Sequence, residues 1–94
     1  MIKKSYPLLL VFISNLFGQT FTGFIKDVSG TEIPYVIIEE LNSGSQERNW
    51  TISDENGGFS INIMNGSDVL FQRIGFKDVI VKPEDQLTKS IIMV

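Results

Sequence analysis

The chain has 94 residues, with eight basic side chains against eleven acidic ones and neither cysteine nor histidine. These counts exclude a disulfide framework, a Cys/His metal centre and the Ser-His-Asp and Cys-His nucleophile systems. The acidic balance offers no basic patch for a phosphate backbone, so no nucleic-acid partner is expected.

In chain order, Lys3 and Lys4 precede an apolar run, Leu8 to Phe17, interrupted only by Ser14 and Asn15, and Gly18 stands at a cut site. That is the pattern of a secretory signal peptide. The run is well short of the ~20 residues that span a bilayer, so no membrane span is expected after cleavage. Residues 1–18 are therefore read as a signal-peptide helix. Residues 19–94 are read as one small exported domain, destined for the periplasm, the outer membrane or the medium. Cleavage after Gly18 removes Lys3 and Lys4 and leaves six bases against eleven acids.

Thr20 to Asp27 reads as a first strand with an aromatic on each parity, Phe21 and Phe24, so the pattern does not choose its buried face. Gly23 within it suggests a bulge or a close backbone approach. Val28 to Glu32 is a turn in which Gly30 supplies positive φ. Ile33 to Leu41 is a second strand with Pro34 at its start, where a missing N–H matters least. It carries apolar residues on both parities, as a strand central to a sandwich does. Asn42 to Arg48 is a polar loop.

Trp50 to Ile63 reads as a hairpin closed by Asp54-Glu55-Asn56-Gly57-Gly58, because Asn-Gly suits a type I′ turn. Beyond the turn Phe59, Ile61 and Ile63 alternate with Ser60 and Asn62. Asn65 to Asp68 is another turn. Strands follow at Val69 to Ile74 and Phe76 to Lys82, with Gly75 between them marking a bend rather than a reversal. Pro83 to Gln86 is a loop, and Leu87 to Val94 is a last strand and the expected free edge. No window of the mature part has helical apolar spacing. The expected fold is all-β, a seven-stranded antiparallel β-sandwich with Val36, Ile38, Phe59, Ile61 and Leu70 in its core. Below ~80 residues such a core supplies only ~3–5 kcal/mol, which suits a module attached to something larger.

Four motifs then stand in order: G-F-I-K-D-V-S-G-T-E-I-P at 23–34, V-I-I at 36–38, S-D-E-N-G-G-F-S-I at 53–61 and V-L-F-Q-R-I-G-F at 69–76. Their order and spacing resemble the carboxypeptidase regulatory-like domain, a transthyretin-like β-sandwich, over nearly all of the mature chain. The resemblance places Gly23 and Asp27 in the first strand and Gly30 in its turn. It places Asp54, Gly57 and Phe59 in the hairpin, and Gly75 and Phe76 at the late bend. The sequence departs from the family pattern where Tyr35 and Val36 stand for Gly-Ala, Ser53 for Thr, Gln72 for Ser and Phe76 for Tyr. The family is non-catalytic. Its members occur at the N-terminus of TonB-dependent outer-membrane receptors, beside metallocarboxypeptidases and in other secreted bacterial proteins. The resemblance thus implies a structural or interaction module, with a small carbohydrate-binding protein or a peptidase accessory domain as the alternatives.

The residues themselves name no reaction. Asp54, Glu55 and Asn56 could ligate calcium, but a turn accounts for all three. Glu39 and Glu40 are adjacent on a strand and point to opposite faces, which separates them as an acid/base pair; a solvated strand end is the simpler reading. Trp50, with Tyr35 and Phe76, could stack on a sugar ring or could simply pack the sandwich. Asn49-Trp50-Thr51 and Asn65-Gly66-Ser67 match the N-glycosylation sequon and read as turn-adjacent polar residues. No enzymatic activity, cofactor or metal is expected. The expected partner is a protein added at a sheet edge, with a glycan at Trp50 as the alternative ligand.

Overall fold

The computed structural model of the chain describes residues 18–41, 47–85 and 90–94. The expected signal segment over 1–17, most of the expected polar loop 42–48, Gln86 and the expected start of the last strand at 87–89 lie outside the described residues. Among the described residues are seven strands: β1 Gln19–Asp27, β2 Ile37–Leu41, β3 Trp50–Ile52, β4 Gly58–Ile63, β5 Asp68–Gln72, β6 Val79–Val81 and β7 Ser90–Met93. They form a three-stranded sheet in the order β4-β1-β7 and a four-stranded sheet in the order β3-β2-β5-β6. The fold is all-β and sandwich-like.

Period-2 alternation sets the inner faces. Phe21 and Ile25 of β1, Phe59, Ile61 and Ile63 of β4, and Ile91 and Met93 of β7 meet Ile38 of β2 and Val69 and Phe71 of β5. The rings of Phe21, Phe59 and Phe71 pack edge to face, with centroids 5.2, 5.3 and 6.3 Å apart, an arrangement worth about 0.5–1.5 kcal/mol per pair beyond area burial. Phe21 therefore settles the parity of β1, and Phe24 faces outward. Leu70, expected in the core, is only half-buried; it lies between two inward residues, Val69 and Phe71, and must point out. Gly23 makes no bulge, since the β1–β4 register runs unbroken through Gly23↔Phe59.

Two five-residue turns share one design. In Asp27–Thr31 the Asp27 Oδ1 accepts the Ser29 and Thr31 N–H, the Gly30 N–H reaches the Asp27 carbonyl, and Gly30 has φ +89°. In Asp54–Gly58 the Asp54 Oδ1 accepts the Asn56 and Gly58 N–H, the Gly57 N–H reaches the Asp54 carbonyl, and Gly57 has φ +78°. Asn56 does not share the positive φ, so this is not a type I′ turn. Nor is Trp50–Ile63 a hairpin: β3 pairs with β2 and β4 pairs with β1, so the turn carries the chain from one sheet to the other. Asn-Gly chemistry closes the turn locally and does not oblige the flanking strands to pair.

Three further expectations are corrected. The chain reverses fully between β5 and β6, which pair antiparallel. Both strands are shorter than the apolar pattern suggests, which frees Arg73 to Asp78 for a loop with Gly75 at φ +94°. The sandwich is not wholly antiparallel, because β7 arrives from the other sheet and runs parallel to β1. A short 3-10 turn, Pro83–Asp85, stands where only a loop is expected.

β2 begins at Ile37, after an irregular approach. Tyr35 has φ +59° and is the one non-glycine in the left-handed region among the described residues. The approach is held by Ser53, which is fully buried. Its hydroxyl accepts the Val36 N–H at 2.8 Å and donates to the Ile33 carbonyl at 3.3 Å, while its backbone carbonyl accepts the Tyr35 N–H. Such strain persists only where surrounding bonds over-determine it.

Candidate functional site

The two adjacent glutamates of β2 part as strand geometry requires. Glu39 faces out and takes a bidentate pair from Arg48 at 2.8 and 2.9 Å. That guanidinium holds its carboxyl below the ordinary carboxylate range. Glu40 faces in and is 8% exposed, so it is not a solvated strand end. Its carboxylate accepts the Ser67 hydroxyl at 2.6 Å, the Met64 N–H at 2.8 Å and the Asn49 amide at 2.9 Å. Burial pushes this carboxyl up, but hydrogen bonds from Ser67, Asn49 and Met64 outweigh it and leave it lowered. The Asn49 amide also reaches the Asn62 carbonyl at 2.6 Å. Glu40 thus ties β2 to the turn after β4. Nothing in the sequence around Glu40 signals this; its three donors lie at distant positions.

The aspartates are likewise engaged. The Ser29 hydroxyl and the Thr31 and Ser29 N–H groups hold the Asp27 carboxyl below its ordinary value. Asp54 caps its own turn, and Gly57 is wedged there: a Cβ would lie 2.6 Å from the Ile25 carbonyl oxygen. Around Gly30 nothing lies within 4 Å of such a Cβ. Among the described residues no group of three His, Cys, Asp or Glu is placed to hold a metal. Pro34 lends its carbonyl to the Arg73 Nε–H at 3.1 Å.

What the fold leaves open is the outer face of the four-stranded sheet. Register places Ile52, Ile37 and Gln72 in one row and Trp50, Glu39, Leu70 and Ile80 in the next. Four of these are large apolar side chains in the open: Ile37 is 40% exposed, Ile52 49%, Trp50 55% and Ile80 61%. At the Ile37 end, Tyr35, Ile37, Ile74 and Phe76, with Gln72, Arg73 and Asp78, line a groove of about 440 Å³, and Ile74 stands at the turn tip almost fully exposed. The three aromatics proposed for stacking therefore do not form one platform. Trp50 sits opposite Glu39, whereas Tyr35 and the half-buried Phe76 flank the groove. The apolar residues on both parities of Ile33–Leu41 did signal this face, but they read as burial on two sides; β2 is central in its sheet, and its Ile37 side is open.

No helix among the described residues is long and apolar enough to cross a membrane. A scan of protein families and searches of curated proteins and of solved structures find no match to this chain.

Proposed function

We propose that the chain is an exported, non-catalytic β-sandwich module that works by binding protein, with the outer face of the four-stranded sheet as its contact surface. The observation that carries this reading is the contrast between its polar and apolar groups. Glu39, Glu40 and Asp27 are all held by hydrogen bonds that build the fold, whereas Ile37, Trp50, Ile52 and Ile80 lie together in the open. Contiguous exposed apolar surface of this kind marks a contact site. A strand added beside β7, an outermost strand of its sheet, is the second route to a partner.

The likeness to carboxypeptidase regulatory-like, transthyretin-like domains gains support from Tyr35. Its φ of +59° falls where that family's pattern has glycine, so the backbone keeps a conformation that suits the missing residue. The setting we favour is the N-terminal extension of a TonB-dependent outer-membrane receptor, reached through a signal peptide cut near Gly18. Receptor plug sequence encoded 3′ of the Val94 codon supports that setting; a neighbouring zinc-peptidase gene points instead to an accessory role. N-terminal sequencing of the exported product that still reads Met1 removes the signal peptide.

Site-specific photo-crosslinkers at positions 80 and 24 test the contact surface in the native host. Protein adducts are expected at 80, on the outer face of the four-stranded sheet, and not at 24 on the other sheet. Equal labelling at both, or turnover by the purified chain in peptidase or glycosidase assays, overturns the reading.

A further inference from the structure

We infer that the occupant of this surface is a second copy of the same chain, docked about a two-fold axis so that Ile74 of each copy enters the groove of the other. This inference rests on the contact-surface reading above and names its partner.

The first argument is area. The exposed parts of Ile37, Trp50, Ile52 and Ile80, with Tyr35 and Ile74 at the groove, together form a surface on the order of several hundred Å², the scale of the ~800 Å² per partner of a standard interface. The strand face alone is smaller, so the interface includes the Ile74 turn. The second argument is charge. The chain carries more acids than bases, so two copies repel over most of their surfaces. On this face the ion pairs Glu39–Arg48 and Asp68–Lys82 are closed within each copy, at 2.8 and 3.6 Å, and the groove adds one charge of each sign, Arg73 and Asp78, so the face meets its own image without net charge. The third is shape. A single aliphatic knob, Ile74, is 93% exposed and forms one wall of a groove whose other walls combine Tyr35, Ile37 and Phe76 with the polar Gln72, Arg73 and Asp78. An isologous contact requires a knob and its socket on the same patch, because residue i meets j while j meets i.

Sedimentation equilibrium of the full chain, as recovered after export, tests this. A monomer–dimer equilibrium is expected, weakened at least tenfold by Ile74→Asp and by Ile80→Lys and unaltered by Phe24→Asp on the other sheet. Circular dichroism should show all three variants folded, since Ile74, Ile80 and Phe24 are exposed. A wild-type chain that stays monomeric at every concentration overturns the inference, as does a dimer that survives both Ile74→Asp and Ile80→Lys or one lost equally in Phe24→Asp. A monomer whose position 80 still crosslinks to a different protein overturns the second copy alone and leaves the contact-surface reading standing. Crosslinking equal at 80 and 24 removes both.

Discussion

On the three-stranded sheet the outward positions are Thr20, Thr22, Phe24 and Lys26 of β1, Ser60 and Asn62 of β4, and Ser90 and Ile92 of β7. On the four-stranded sheet they include Ile37, Glu39, Leu41, Trp50, Ile52, Leu70, Gln72 and Ile80. The inner faces of both sheets are largely apolar, because one shared core demands it, with Glu40 the charged exception on the four-stranded sheet. The first outer face is what alternation against water produces, down to a threonine–asparagine hydrogen bond between Thr20 and Asn62 at 2.7 Å. The second departs from that rule, and neither packing nor turn chemistry requires the departure. Core residues here explain stability, and on the function proposed above the outer face of the four-stranded sheet carries the role beyond it.

The largest effects should fall where the sheets are alike. Phe59→Ala on one sheet and Phe71→Ala on the other should each cost about 3–5 kcal/mol, enough to unfold so small a domain, as read by urea melts. A Phe59→Ala chain with an unchanged melting temperature would break the shared core.

The turns that pass between the sheets come next. Gly57→Ala combines positive φ with a Cβ 2.6 Å from the Ile25 carbonyl oxygen and should cost about 2–4 kcal/mol. Gly30→Ala has the same φ problem in open space and should cost only about 1 kcal/mol. Equal losses in urea melts would mean that packing against β1 does not distinguish the twin turns.

Glu40→Ala should cost about 2–3 kcal/mol by stranding the Ser67 hydroxyl and the Met64 N–H. Because the folded carboxyl titrates below its ordinary value of 4.5, its contribution is complete above that pH and is lost as pH falls through the folded value. Wild type should therefore lose stability more steeply than Glu40→Gln below about pH 4.5 and run parallel to it above. Parallel curves throughout would remove the clasp.

The smallest effects on stability belong to the outer faces. Ile80→Thr and Phe24→Thr should each stay within about 0.5 kcal/mol of wild type in thermal melts, although only the first should weaken association. A large loss of stability in Ile80→Thr alone would mean that this face serves the fold.

Much of this architecture was legible. Strand positions follow from alternation, and the aspartate-glycine turns announce themselves in D-V-S-G-T and D-E-N-G-G. Pairing was not legible. A turn motif fixes its own four or five residues, so nothing in Trp50–Ile63 tells that β3 and β4 enter different sheets, and the parallel meeting of β1 with β7 joins residues far apart in sequence. Faces were legible only where polar residues alternate. In Val69-Leu70-Phe71 every residue is apolar, so the pattern does not show that Leu70 faces out. The clasps of Ser53 and Glu40 draw on residues distant in the chain and emerge only once the sheets are stacked.

Trp50 is the sole tryptophan of the chain and lies 55% exposed within the face at issue, so its fluorescence reports that face directly. With increasing concentration of the full chain its emission should move to shorter wavelength as water leaves the indole, and Ile74→Asp should abolish the shift. Emission that stays red at every concentration, or a blue shift that Ile74→Asp leaves intact, would contradict association through the outer face of the four-stranded sheet.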